Sequence, residues 1–133
     1  MRILLAQIAH ARSGDKANRA DIGLFAWDEA GFAILAAHVT RERVAAHFAH
    51  LLSADPAADA AALVARVARF DLPNLLALKF VLDGALDGGA AASLRSDNLG
   101  KTIGAQLLRM EIEVDDARAE AALAGARDAA QRF

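Results

Sequence analysis

The chain has 133 residues, with 15 Lys and Arg against 17 Asp and Glu, a formal charge of −2 and no cysteine. That length makes one domain, and a balance without basic excess argues against a nucleic-acid partner. The missing cysteines exclude disulfides, a thiolate nucleophile, Cys-ligated zinc and an iron–sulfur cluster.

Of the 56% apolar residues, 35 are alanine and 39 are bulkier, which is enough to build one core. No apolar run approaches the ~20 residues that span a membrane. The apolar start at residues 1–5 is too short for a signal peptide, so the expected location is the cytoplasm.

Residues 2–10, RILLAQIAH, read as a buried strand, and residues 20–27, ADIGLFAW, as a second. Between them the polar stretch Arg12-Ser13-Gly14-Asp15-Lys16-Ala17-Asn18-Arg19 reads as an exposed loop, longer than a tight hairpin needs. A short helix is expected over 28–38. Thr40 is placed to cap a second helix running to about Leu52, with Val44, Phe48 and Leu51 at helical spacing. Asp55-Pro56 suggests a fresh cap before an alanine-rich turn or linker.

Residues 64–70 alternate apolar with polar, the pattern of a half-solvated strand, and stop near Pro73. The run LLALKFVL at 75–82 fits helix or buried strand; a helix capped by Asn74 is the favoured assignment. Ser93-Leu94-Arg95 is a candidate short strand. After it, Ser96 or Asp97 caps a helix carrying Leu99, Ile103, Leu107 and Met110 on one stripe. Glu111-Ile112-Glu113-Val114 alternates as a last strand, and residues 115–132 suit a peripheral helical tail. This order gives an α+β sandwich, with helices on one face of a mostly antiparallel sheet.

No cofactor or metal motif is complete. Gly100-Lys101-Thr102 mimics the end of a phosphate loop, but Arg95 stands where the first glycine belongs. The amides there, with Lys101 and Arg95, are suited either to an anion or simply to a capped helix. His47 and His50 share a helix face without a third ligand in reach, so neither is assigned to a metal. The loop at Arg12–Arg19 offers a hydroxyl, a carboxylate, an amide, an ammonium and two guanidinium groups. It reads as an anion site or as a solvated turn. His10, at the strand end beside it, and Asp15 are the candidates for proton transfer.

Three segments together carry a resemblance. They are His10-Ala11-Arg12-Ser13-Gly14-Asp15-Lys16 with Asn18 and Ile22-Gly23; Phe70-Asp71-Leu72-Pro73-Asn74 with Ala77-Leu78-Lys79-Phe80-Val81-Leu82; and Ser93-Leu94-Arg95-Ser96-Asp97 with Gly100-Lys101 and Leu107-Leu108. In that order they resemble the C-terminal domain of acyclic terpene utilisation (AtuA) proteins, which also occurs free-standing. The resemblance implies a ferredoxin-like sandwich over residues 1–114, with 115–133 as an alanine-rich helical extension. It carries over no catalytic residue. It implies a ligand site at Arg12, Ser13, Asp15, Lys16 and Asn18, facing Asn74 and Arg95, with Lys101 beside them. It departs at Ala17, where the family often has glycine.

The expected role is a non-catalytic accessory subunit acting with a larger AtuA-type partner, or self-associated as a homo-oligomer, in terpenoid or acyl-CoA catabolism. The alternatives are a ligand-binding module for an acyl-CoA-like compound, or a small acid–base hydratase or isomerase using Asp15 and His10.

Overall fold

A computed structural model describes residues 1–132. Two antiparallel sheets organise the chain. Strands β1 (Arg2–Leu4) and β6 (Glu111–Glu113) pair with each other, Ile3 opposite Ile112. The larger sheet has the order β2-β3-β5-β4, from β2 (Ala9–Lys16), β3 (Arg19–Ala26), β4 (Val67–Leu72) and β5 (Ala77–Asp83). Helices α1 (Glu29–His38), α2 (Arg41–His47), α3 (Ala49–Leu52) and α4 (Ala60–Val64) fill the crossover from β3 to β4. Helix α5 (Ile103–Leu107) precedes β6, and α6 (Asp116–Gln131) follows it. No helix among the described residues is long and apolar enough to cross a membrane.

Period-two alternation sorts the larger sheet into two faces. Ala20, Ile22 and Leu24 of β3 and Leu78, Phe80 and Leu82 of β5 are buried, as are Ile34, Leu35, Val44 and Phe48 of the helical layer. They form one core. The opposite face presents His10, Arg12, Gly14 and Lys16 of β2; Asp21, Gly23 and Phe25 of β3; Ala77 and Lys79 of β5; and Phe70 and Leu72 of β4. Phe70 and Leu72 remain 53% and 36% exposed there, so helices cover one face and leave the other bare. At the covered edge, Arg69 donates to the carbonyls of Ala36 and Val39 at the end of α1, a favourable place for a cation.

The α+β sandwich expected from the pattern is present, and several elements differ. The polar loop is a strand: β2 and β3 form a hairpin closed by the two residues Ala17 and Asn18, with Lys16 opposite Arg19. Its inward residues are the small Ala9, Ala11 and Ser13, which hid the alternation. Residues 77–83 are strand rather than helix, because Leu78, Phe80 and Leu82 need one face of a sheet and the αL residue Leu76 separates them from the preceding turn. Residues 2–10 are not one strand: a 3-10 turn at Leu5–Gln7 divides β1 from β2 and sends them to different sheets.

The helix expected to run to Leu52 breaks at Phe48. Asp55 holds only a turn, through the amide of Ala57, and Asp59 caps α4 instead. Residues 93–95 form no strand, and the helix expected from Ser96 or Asp97 begins only at Ile103, leaving Leu94 and Leu99 99% and 41% exposed. The last helix is no loose tail: Ala119, Ala122 and Ala126 are buried, and the helix packs on α1.

Candidate functional site

The bare face of the larger sheet holds a groove of about 400 Å³. It is walled by the β2–β3 hairpin, the start of β5, the turn around Leu75 and the loop that ends at Lys101. Arg12, Lys16, Lys79 and Lys101 bring four positive charges to it, and Asp15 and Asp21 two negative ones. Phe25, Leu72, Leu75 and Ala77 supply an apolar flank. A volume of this size, with mixed apolar and convergent charged walls, is characteristic of small-molecule sites.

Two glycines shape the floor. A Cβ at Gly23 would lie 2.8 Å from the Phe25 ring, so only glycine lets that ring settle along the strand. A Cβ at Gly14 would lie 3.1 Å from Lys101 Nζ and 3.6 Å from Asp21 Oδ1. The Lys101 ammonium, carried in on a loop, therefore rests over bare β2 backbone. Asp21 also pairs with Lys79 at 3.5 Å. Arg12, Lys16 and Lys101 make no ion pair and no side-chain hydrogen bond among the described residues, and all three are exposed.

Asp97 fixes the backbone that presents Lys101. Its carboxylate accepts from Lys101 N at 2.8 Å, Thr102 N at 3.0 Å and Thr102 Oγ1 at 2.6 Å. Partial burial works to raise its pKa, but these hydrogen bonds and the Lys101 charge outweigh it and hold the carboxyl below its ordinary range.

Of the residues singled out from the sequence, Arg12, Ser13, Asp15, Lys16 and Lys101 line the groove. Ser13 is already engaged: its buried hydroxyl donates to Gly100 O at 2.6 Å and accepts from Gly104 N at 2.8 Å. Asn18 lies outside, where Oδ1 accepts from Gly88 N at 2.8 Å and ties the hairpin tip to the 84–102 loop. Arg95 does not face the groove; its guanidinium donates to the Ala85 carbonyl within that loop. Asn74 is exposed in the turn before β5 and does not line the groove.

His10 stands apart as well, its ring stacked on Phe25 at 5.3 Å and tilted against Trp27 at 4.4 Å. Five residues along one strand separate it from Asp15, or about 16 Å, so the two do not form an acid–base pair. His47 meets the Gln106 carbonyl at 2.7 Å and serves as a link between α2 and α5.

Sequence reasoning missed Asp21, Phe25, Leu72, Leu75, Ala77 and Lys79. The signal was the alternation Asp21, Gly23, Phe25 along β3, opposite Val81, Lys79 and Ala77 along β5. Assigning 75–82 to a helix removed Lys79 from the sheet and hid it.

No curated protein and no solved structure matches the chain. A family model described as the AtuA ferredoxin-like domain matches residues 3–113, from β1 to the end of β6, so that α6 lies beyond the matched segment. The adjective describes the fold, since a chain without cysteine cannot hold a ferredoxin cluster by thiolates. With most of its length matched and the antiparallel α+β sandwich in place, the chain belongs to the AtuA ferredoxin-like domain family.

Proposed function

We propose that the chain acts in the cytoplasm as a non-catalytic accessory subunit of a larger AtuA-type protein, in terpenoid or acyl-CoA catabolism. The observation that supports it is the bare sheet face: Phe70, Leu72 and Leu75 stand 53%, 36% and 58% exposed along its β4 side. Large apolar residues grouped on an otherwise charged surface mark a contact surface. The separation of His10 from Asp15 also leaves the acid–base enzyme reading without its constellation.

The test is co-expression with an AtuA-type body that lacks its own domain of this family, followed by size-exclusion chromatography. Co-elution is expected, and Phe70→Asp should release the small chain while leaving its thermal midpoint unchanged. A wild-type chain that elutes alone, or a complex indifferent to Phe70→Asp, overturns the reading. Turnover of unsaturated acyl-CoA thioesters by the isolated chain would overturn its non-catalytic part.

A further inference from the structure

Arg12, Lys16 and Lys101 line the groove and none of them makes an ion pair among the described residues, although Asp21 Oδ1 and the Lys101 ammonium both lie within 4 Å of the Gly14 Cβ position. Of the groove's cations, only Lys79 is neutralised, by Asp21 at 3.5 Å. Asp15 borders the groove from a position that alternates onto the other face of β2 with Ala20, and even with it counted the cationic groups outnumber the carboxylates by two. Like charges held together cost free energy until an anion arrives, and a guanidinium with two ammonium groups offers donors suited to an oxyanion.

The opposite end of the groove differs. Arg12 and Lys16 stand on β2, whereas Leu72 lies on β4 with Leu75 in the turn after it, and the strand order puts three spacings between β2 and β4. At ~4.8 Å each, the charged and apolar ends are about 14 Å apart across the sheet. Phe25 on β3 and Ala77 on β5 bridge the interval. A volume of about 400 Å³ admits roughly a dozen non-hydrogen atoms, taking ~30 Å³ for each water-sized unit.

We propose that the groove binds small amphipathic oxyanions: a carboxylate or phosphate headgroup held by Arg12, Lys16 and Lys101, with an apolar body of about eight to ten carbons laid over Phe25 toward Leu72 and Leu75. The headgroup does not enter through Ser13, whose hydroxyl is bonded to Gly100 and Gly104. The bare backbone at Gly14 leaves room for the Lys101 ammonium, whose Nζ lies 3.1 Å from where a Cβ would stand.

The experiment is calorimetric titration of the isolated chain with octanoate, octyl phosphate and octanol, each below its aggregation limit. It needs no partner subunit, so although Leu72 and Leu75 are shared with the proposed contact surface, its outcome on the free chain is separate from that of the accessory role. Saturable 1:1 binding of an octyl oxyanion is expected, with octanol at least tenfold weaker. The tighter of the two anions identifies the headgroup. The double variant Lys16→Gln/Lys101→Gln should lose about tenfold or more in affinity at an unchanged urea midpoint, and Leu75→Asn several-fold. Binding of octanol equal to that of the anions, anion affinity unaffected by the double variant, or no saturable binding of either anion overturns the proposal.

Discussion

Gly125, in the middle of α6, faces the carboxylate of Asp28, the N-cap of α1. A Cβ at Gly125 would lie 1.8 Å from Asp28 Oδ2, while Asp28 Oδ1 accepts from Gly31 N at 2.9 Å. The absence of one side chain on the last helix thus lets the first helix keep its cap. Ordinarily, replacing a mid-helix glycine with alanine gains about 0.5–1 kcal/mol. Here Gly125→Ala must displace the carboxylate, losing a cap of about 1 kcal/mol and separating two packed helices. The expected net result is a loss of about 1 kcal/mol in urea unfolding. In an Asp28→Gly background the same change should become stabilising, and a double-mutant cycle showing no such coupling would refute the contact.

The second prediction concerns the pin between β2 and the start of α5. Ser13 is 9% exposed and its hydroxyl satisfies two backbone groups, Gly100 O and Gly104 N, 87 and 91 residues away in the chain. Ser13→Ala leaves both without their partner. The expected cost is about 1–3 kcal/mol in the urea midpoint, because buried unsatisfied groups forfeit their hydration as well as the bond. A cost below about 0.5 kcal/mol would show that water replaces the hydroxyl and that the pin is not structural.

How far the fold could be read from the sequence depended on side-chain size. Where strands bury large residues at period two, as in Ile22 and Leu24, the alternation was visible. In β2 the inward positions hold Ala9, Ala11 and Ser13, and small residues beside long polar ones look like a loop. In β5 the buried Leu78, Phe80 and Leu82 alternate with Lys79 and Val81, but two further leucines at 75 and 76 blur the run into a helical stripe. Leu76 is the physical break, at φ +53° in the left-handed region, a conformation no propensity scale assigns to leucine. The charged half of the groove was legible because Arg12–Lys16 is dense in functional groups. Its apolar half was not, because it is assembled from β3, β5 and a turn only once the sheet order is known.

Ala17 tests the hairpin turn. It sits at φ +56°, where an L side chain is strained by roughly 1–2 kcal/mol and glycine is not. Glycine in turn loses more backbone entropy on folding, by about 0.5–1 kcal/mol. The balance favours Ala17→Gly by about 0.5 kcal/mol, a rise of ~2 °C in thermal midpoint for a domain of this size. The Asn18–Gly88 tie holds the turn in place during the change. A lower midpoint for Ala17→Gly would mean that the rigidity of alanine outweighs its strain.

Two carboxyl groups, Asp71 and Asp97, are held low by their partners and contribute to the response to acid. Asp71 accepts from Arg69 Nε at 2.8 Å and Nη2 at 3.0 Å, and this paired hydrogen bonding, with the Arg69 charge, holds its carboxyl below the ordinary 3.8. Asp97 is held low by the Thr102 and Lys101 groups that overcome its partial burial. Because both folded-state values lie below the unfolded ones, each group adds stability that is fully present above pH ~4 and is lost as the pH falls through the depressed values. Asp71 is half exposed and its pair is screened, so Asp71→Asn should cost about 0.5 kcal/mol at pH 7. Asp97→Ala should cost about 1 kcal/mol there, since it removes three hydrogen bonds from a partly screened site. Urea midpoints at pH 7, 5 and 3 should show the wild type weakening between 5 and 3 and the double variant weakening less. The deficit of the double variant should therefore shrink toward pH 3. A deficit that stays constant from pH 7 to pH 3 would show that the folded state does not favour the charged form of either carboxyl group.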